Sequence, residues 1–292
     1  MRVLVIGCGY VGLALGRELL RRGHEVSGLR RDPTGLEAEG IRPVAADISR
    51  PETLAPLAGD YDWVANCAAS SVGGPEDYRR VYLEGTVNIL RWLAPHPPKK
   101  YVYTSSTGVY GQNDGSLVEE TSPAEPPSET GRVLVQTETL LREAVRTQGF
   151  PAVVLRLSGI YGPDRGYWFK QFLSGQAVME GQGERVLNMV HRDDVAGAMV
   201  AALERGRPGE IYNVSDSEPV TQRAMFEWLA AELGRPLPPS VPENPEAIRG
   251  RGVTQKRISN RKLRAELGYE FKYPSFREGY RGMAASGRGS SG

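Results

Sequence analysis

The sequence predicts an α/β fold, a doubly wound parallel sheet with a smaller C-terminal lobe. Three observations predict it. An apolar run near the N-terminus passes through a glycine-rich turn into a helical segment. Strand and helix patterns alternate from there to Pro163. Glycine, aromatic and polar residues then dominate Asp164 to Asn188, and the alternation lapses. Repeated strand–helix alternation argues for parallel strands with helices on both faces.

Arg2-Val3-Leu4-Val5-Ile6 reads as a buried strand. It runs into Gly7-Cys8-Gly9-Tyr10-Val11-Gly12, and Leu13 to Leu20 reads as a helix. Strand, G-x-G-x-x-G and helix in that order is the context of a dinucleotide fingerprint. Gly7 permits a tight turn, Gly9 lets a pyrophosphate approach the backbone, and Gly12 lets helix and strand pack closely. The helix N-terminus receives the negative charge. The competing reading is a structural turn without ligand. The second strand, Glu25 to Leu29, is followed by Arg30-Arg31 and then Asp32-Pro33. There an acidic side chain holds a free ribose 2′-hydroxyl, whereas arginine accommodates a 2′-phosphate. The basic pair comes first, and a guanidinium grips phosphate with two hydrogen bonds. NADP is therefore expected ahead of NAD. Asp32 keeps NAD open, and the bland reading of the arginine pair is a solvated turn.

A third strand is expected at Arg42 to Ala46, a fourth at Tyr61 to Asn66, a fifth at Lys100 to Thr104 and a sixth at Ala152 to Leu157. Helices are expected over Pro75 to Leu93 and Gly131 to Gln148. Ligands bind outside the carboxyl ends of such strands. Asp47 with Ile48, Ala68 with Ala69, and Ser105 with Ser106 fall there, placed for adenine, the pyrophosphate edge and the nicotinamide side. Asp47 equally suits a helix cap before Pro51. The expected cofactor set is Gly7, Gly9, Tyr10, Val11, Gly12, Arg30, Arg31, Asp47, Ile48, Ala68, Ala69 and Ser105.

Residues 1–163 are expected to form a dinucleotide-binding Rossmann domain, completed by about 191–214. There a helix (Asp193 to Glu204) and a strand (Glu210 to Val214) pack back on the sheet. Residues 164–190 and 215–282 form the smaller substrate lobe, with a helix at Thr221 to Leu233. Arg235 to Pro245 is proline-rich and reads as irregular. Residues 283–292 read as a flexible, low-complexity tail.

A chain of 292 residues can bury a sizeable core. A net charge of +1 gives no bulk pull toward nucleic acid or membrane. No apolar stretch approaches the roughly 20 residues of a membrane helix. Met1 abuts the first strand, so no leader is expected. Cys8 and Cys67 read as reduced packing residues. No His/Cys/carboxylate cluster has metal spacing, so no metal is expected. A cytoplasmic protein acting on a small molecule is the expectation.

Several separated segments carry a family resemblance. They are the glycine motif, Glu84-Gly85-Thr86-Val87-Asn88-Ile89-Leu90, Thr104-Ser105-Ser106-Thr107-Gly108-Val109-Tyr110-Gly111, Arg156-Leu157-Ser158-Gly159-Ile160-Tyr161-Gly162-Pro163, His191-Arg192-Asp193-Asp194-Val195-Ala196 and Ile211-Tyr212-Asn213-Val214. From Met1 to about Gly282 the chain resembles an extended short-chain dehydrogenase/reductase of the NAD-dependent epimerase/dehydratase family. The resemblance implies a nicotinamide cofactor, and a homodimer through the two long helices as that family often forms.

The family's usual chemistry needs Tyr-x-x-x-Lys on one helix, four residues apart and so on one face. The ammonium lowers the tyrosine pKa, and the tyrosine passes the proton. Anchored on Glu138, the lysine position is Leu134 and the tyrosine position is Thr130. Gly111 to Thr147 contains neither tyrosine nor lysine. Tyr82 stands where the fourth-helix motif has asparagine. Ser106 alone survives of the catalytic set, a pattern that resembles the atypical, YeeZ-like branch. Glu129 and Arg132 flank the vacated positions. They are candidates for acid or base and for orienting a substrate anion, against the plain reading of a solvated helix start. Tyr110 is a further candidate, against a framework role. His191 reads as structural. Two functions follow as expectations: an NADP-dependent reductase or epimerase on a small polar or sugar-like substrate, or a non-catalytic NAD(P)-binding redox sensor.

Overall fold

Seven strands form the central sheet of the computed structural model, which describes residues 1–242 and 255–288. They are β1 (Arg2–Ile6), β2 (Glu25–Arg30), β3 (Arg42–Ala45), β4 (Trp63–Asn66), β5 (Lys100–Ser106), β6 (Ala152–Leu157) and β7 (Ile211–Val214). Their order is β7-β6-β5-β4-β1-β2-β3, and every adjacent pair is parallel. The doubly wound parallel sheet is thus as the sequence predicts.

Successive strand residues face opposite sides. Val3 and Val5 enter one core, Leu4 and Ile6 the other. Helices α1 (Tyr10–Arg21), α2 (Gly85–Leu93), α3 (Glu129–Gln148) and α4 (Arg192–Arg205) cover the two faces. Leu15 and Leu19 of α1 share the first core with Val195 and Met199 of α4. Ile89 and Leu93 of α2 share the second with Leu141 and Ala144 of α3. Helix α3 starts two residues before its expected start because Ser128 caps it, accepting from the Gly131 N–H at 3.1 Å. The helix expected from Pro75 is a run of three parts: Gly74–Tyr78, a π-helical stretch Arg79–Glu84, and α2. Such π stretches widen a helix locally and are frequent at functional sites.

A smaller core gathers Tyr161, Phe169, Phe172, Met189, Phe226, Phe276 and Tyr280. Helices α5 (Gln222–Leu233) and α7 (Phe276–Arg288) pack there; α6 (Arg261–Leu267) does not. Leu263 and Leu267 of α6 belong to the first sheet core, with Tyr269 and Phe271 against it. That corrects the expected lobe boundary, because the 215–282 segment returns to the sheet before its last helix. Ser240–Val241 pairs in parallel with Met179–Glu180, so part of Arg235 to Pro245 is strand, and residues 243–245 lie outside the described residues. Helix α7 reaches Arg288, which corrects the expectation of a tail beginning at residue 283; residues 289–292 lie outside the described residues. No described helix is long and apolar enough to cross a membrane.

His191 caps α4, its Nδ1 accepting from the Asp193 N–H at 3.2 Å. The buried ring packs against Tyr161 and Tyr273. Burial, outweighing the opposing pull of Asp193, pushes its pKa down from 6.5 to about 4. Between those values the unfolded chain binds more protons, so this contribution is whole above pH 6.5 and is lost as pH falls toward 4. Urea melts over that range are expected to show the loss, and His191→Gln to flatten it. An unchanged slope in the variant would count against the assignment.

Candidate functional site

The strand order reverses between β1 and β4, and a cleft of about 540 Å³ opens outside the carboxyl ends there. Gly7 and Gly9 line it from the turn after β1, and Tyr10 and Val11 from the first turn of α1. Arg30 and Arg31 line it from the end of β2, Asp47 and Ile48 from beyond β3, and Ala68 and Ala69 from beyond β4. Ser105 and Ser106 line it from β5. Three strand steps separate the ends of β2 and β5, roughly 14 Å at the usual spacing.

The glycine turn has the geometry its sequence suggests. Gly7 has φ +74°, and a Cβ there would stand 2.4 Å from the Ala68 nitrogen. Gly12 does not line the cleft. A Cβ on it would stand 2.6 Å from the Gly7 oxygen, so it serves helix–strand packing. Gly9 has nothing within 4 Å of a Cβ, leaving open space above the backbone.

Among the described residues four arginines line the cleft (Arg30, Arg31, Arg80 and Arg165) against one carboxylate, Asp47. Asp77 holds Arg80 in a salt bridge. Arg30 donates to the Cys8 carbonyl at 3.1 Å and to the Thr34 carbonyl, while its buried Nε has no partner among the described residues. Among the described residues Arg31 hydrogen-bonds only the Ser71 hydroxyl, at 3.5 Å. Asp32 lies outside the cleft lining, accepting from the Thr34 N–H at 3.0 Å. Asp47 accepts from the Ser49 N–H at 2.9 Å and from its hydroxyl at 2.7 Å, a local turn; Arg50 is the cap residue before Pro51. Burial pushes the Asp47 pKa upward, but these hydrogen bonds and the charges of Arg31 and Arg80 hold it below its ordinary value. An open glycine turn, the Arg30 and Arg31 pair at the β2 end and an Arg30 Nε without a partner among the described residues fit a phosphate-bearing dinucleotide.

At the other end Ser106 accepts from the Gly108 N–H at 3.0 Å, leaving its own proton free to donate. Leu134, at the family's lysine position, forms cleft wall, whereas Thr130 does not line the cleft. Tyr78 and Tyr82 line it from the helical run before α2. The expected site residues left out these two and Ser158, Gly159, Ile160 and Arg165; the signals available were the vacated asparagine position at Tyr82 and the Arg156 to Pro163 segment of the family resemblance.

Three expected catalytic residues lie elsewhere. Tyr110 is fully buried, donating to Asn213 Oδ1 at 2.8 Å beneath the Arg156 guanidinium. Glu129 is exposed in the first turn of α3. Arg132 is exposed and donates to the Pro127 carbonyl at 3.1 Å. The framework and solvated-helix readings therefore describe their places. Below Ser105 a buried chain supports the cleft floor. Ser105 donates to Glu138 Oε1 at 2.5 Å, and Arg156 pairs with Glu138 Oε2 at 2.6 Å.

Fold and site together define a Rossmann-type protein whose cleft suits a dinucleotide. The model of the NAD dependent epimerase/dehydratase family matches residues 3–215, and the chain belongs to that family. It is 30% identical to Protein YeeZ of Escherichia coli K12 over 280 residues, 94% of this chain and 96% of that protein. It is 28% identical to a 3-diazoavenalumate denitrifying reductase from a Streptomyces species, over 96% of this chain and 99% of that protein. The structure of Thermus thermophilus UDP-glucose 4-epimerase in complex with NAD superposes with a TM-score of 0.81 at 28% identity, covering 96% of this chain and 97% of that one.

Proposed function

We propose that this protein is an NADP-dependent reductase of a small polar substrate. The observation that carries the cofactor reading is the pair Arg30 and Arg31 in the cleft lining, with Asp32 turned away onto Thr34. A bound reduced nicotinamide supplies hydride. The chain's own contribution at that end is the Ser106 hydroxyl, free to donate to a substrate oxygen, beside an apolar Leu134 wall. An epimerase oxidises and then re-reduces one centre, so it needs a group that takes up and returns a proton. With Leu134 and Thr130 at the lysine and tyrosine positions, one-way reduction suits the cleft better. The Streptomyces relative is itself named a reductase.

The same vacated pair favours the second reading, a redox sensor that holds NADP without turnover. Steady-state consumption of NADPH at catalytic protein concentrations separates the two. For the cofactor, titration with NADPH and NADH is expected to show tighter NADPH binding. Arg30→Ala and Arg31→Ala are each expected to weaken NADPH about tenfold or more, the worth of a charge-assisted contact, and to leave NADH nearly unchanged. Unchanged NADPH affinity in both variants would return the preference to NAD.

A further inference from the structure

Building on the proposed reductase, we propose that Arg165 docks an anionic group of the substrate, a carboxylate or phosphate. Arg165 closes a two-residue hairpin, with paired backbone bonds to Gly162 at 2.9 and 3.0 Å and Pro163-Asp164 at the tip. Asp164 is the one non-glycine residue with positive φ among the described residues, at 60°. Strain of that kind is kept where surrounding structure over-determines it, and it concentrates at ligand clamps. Here the surroundings do so. Tyr10 donates to the Pro163 carbonyl at 2.9 Å, and Lys170 donates to the Asp164 carbonyl at 2.6 Å.

This hairpin lays the Arg165 guanidinium over the Tyr10 ring, 5.3 Å from its centroid. Arg192 lies over the same ring at 5.1 Å, but Asp193 neutralises it at 2.9 Å. Arg165 has no acidic partner among the described residues and lines the cleft. The other cationic sites there have work or partners. Arg30 and Arg31 stand at the β2 edge, three strands from Ser106, and Arg80 is paired with Asp77. Arg165 instead comes from the chain that follows β6, whose Leu157 pairs with Ser106, and it lines the cleft together with Ser158, Gly159 and Ile160. A guanidinium held by stacking presents its fork ready for two hydrogen bonds, which matches carboxylate and phosphate geometry. A substrate bridging Arg165 and Ser106 would be fixed at two points.

The test uses the full chain, wild type and Arg165→Ala, with and without saturating NADPH. Malonate, inorganic phosphate and neutral malonamide are titrated, reading nicotinamide fluorescence in the loaded protein and heat of binding in the free protein. In wild type, malonate or phosphate is expected to bind and malonamide not to. Arg165→Ala is expected to lose that anion binding at least tenfold while its NADPH dissociation constant stays within twofold. Arg165→Lys should recover part of it, and retained NADPH affinity certifies the variants as folded. Equal anion binding in wild type and Arg165→Ala overturns the proposal, as does no anion binding in wild type. A tenfold loss of NADPH affinity with anion binding intact overturns it by assigning Arg165 to the cofactor's pyrophosphate. Failure of wild type to bind NADPH defeats the reductase reading alone, since the free protein still reports Arg165 by calorimetry.

Discussion

Glu138→Ala is expected to destabilise the fold by about 3–5 kcal/mol, the usual cost of removing one partner from a buried ion pair. Glu138 and Arg156 are almost wholly buried, with side chains 4% and 5% exposed, so water cannot replace the lost carboxylate. Arg156 Nη1 is already without a partner among the described residues, and the variant would strand the rest of the guanidinium over Tyr110. Ser105 loses its acceptor at the same time, so the cleft floor is affected as well as the core. Glu138→Gln keeps an acceptor for Ser105 and should cost less. Urea unfolding measures both. A loss below about 1 kcal/mol in Glu138→Ala would show that Arg156 finds other compensation, against the stated penalty.

Gly7→Ala carries the second large effect, and Gly9→Ala is its contrast. At Gly7 a Cβ would meet backbone, 2.4 Å from the Ala68 nitrogen and 2.7 Å from the Cys67 carbonyl carbon, in a conformation with φ +74°. Backbone at the end of β4 cannot rotate away as a side chain does. The left-handed conformation alone costs of order 1–3 kcal/mol, and the overlap adds to it. Gly7→Ala is expected to lower the melting temperature and to abolish measurable NADPH binding together. Gly9→Ala meets nothing within 4 Å and should melt near wild type. Its added methyl projects where a pyrophosphate would approach, so NADPH binding should still fall at least tenfold. A normal melt with normal binding in Gly9→Ala would contradict the cradle.

The sheet was legible because its inner strands are buried on both faces, although the edge strand β3 is not. Val3 to Ile6 reads as an unbroken apolar run and Ala152 to Leu157 as one interrupted only by Arg156, and β6 lies where that run predicts. The two-residue strands Met179–Glu180 and Ser240–Val241 carry too few residues to show a period. The β2 to β5 part of the cleft was legible too, since chain order fixes which residues follow which strand. Glu129 and Arg132 show where that reasoning stops. They neighbour Leu134 in sequence, but at about 100° per residue they sit roughly 140° and 160° around the helix from it, on the solvent side. Tyr110 stands four residues past Ser106, yet the chain turns inward there and its hydroxyl is spent on Asn213. Arg165 gave no signal because a Pro-Asp turn looks like any loop until Tyr10 is seen beneath it.

The return of α4, β7 and α6 to the sheet bears on how this protein can be re-engineered. The smaller core draws on residues near 161–189, 220–229 and 276–280, while residues between those stretches build the sheet core. No single cut separates the two. Exchanging the lobe with that of a relative therefore requires three coordinated grafts whose seams all cross one interface. A cassette swapped at Pro163 alone would discard β7 and leave the β6 edge bare, inviting pairing with a second chain. Altering specificity by substitutions on the Gly162–Gly166 hairpin leaves those seams untouched.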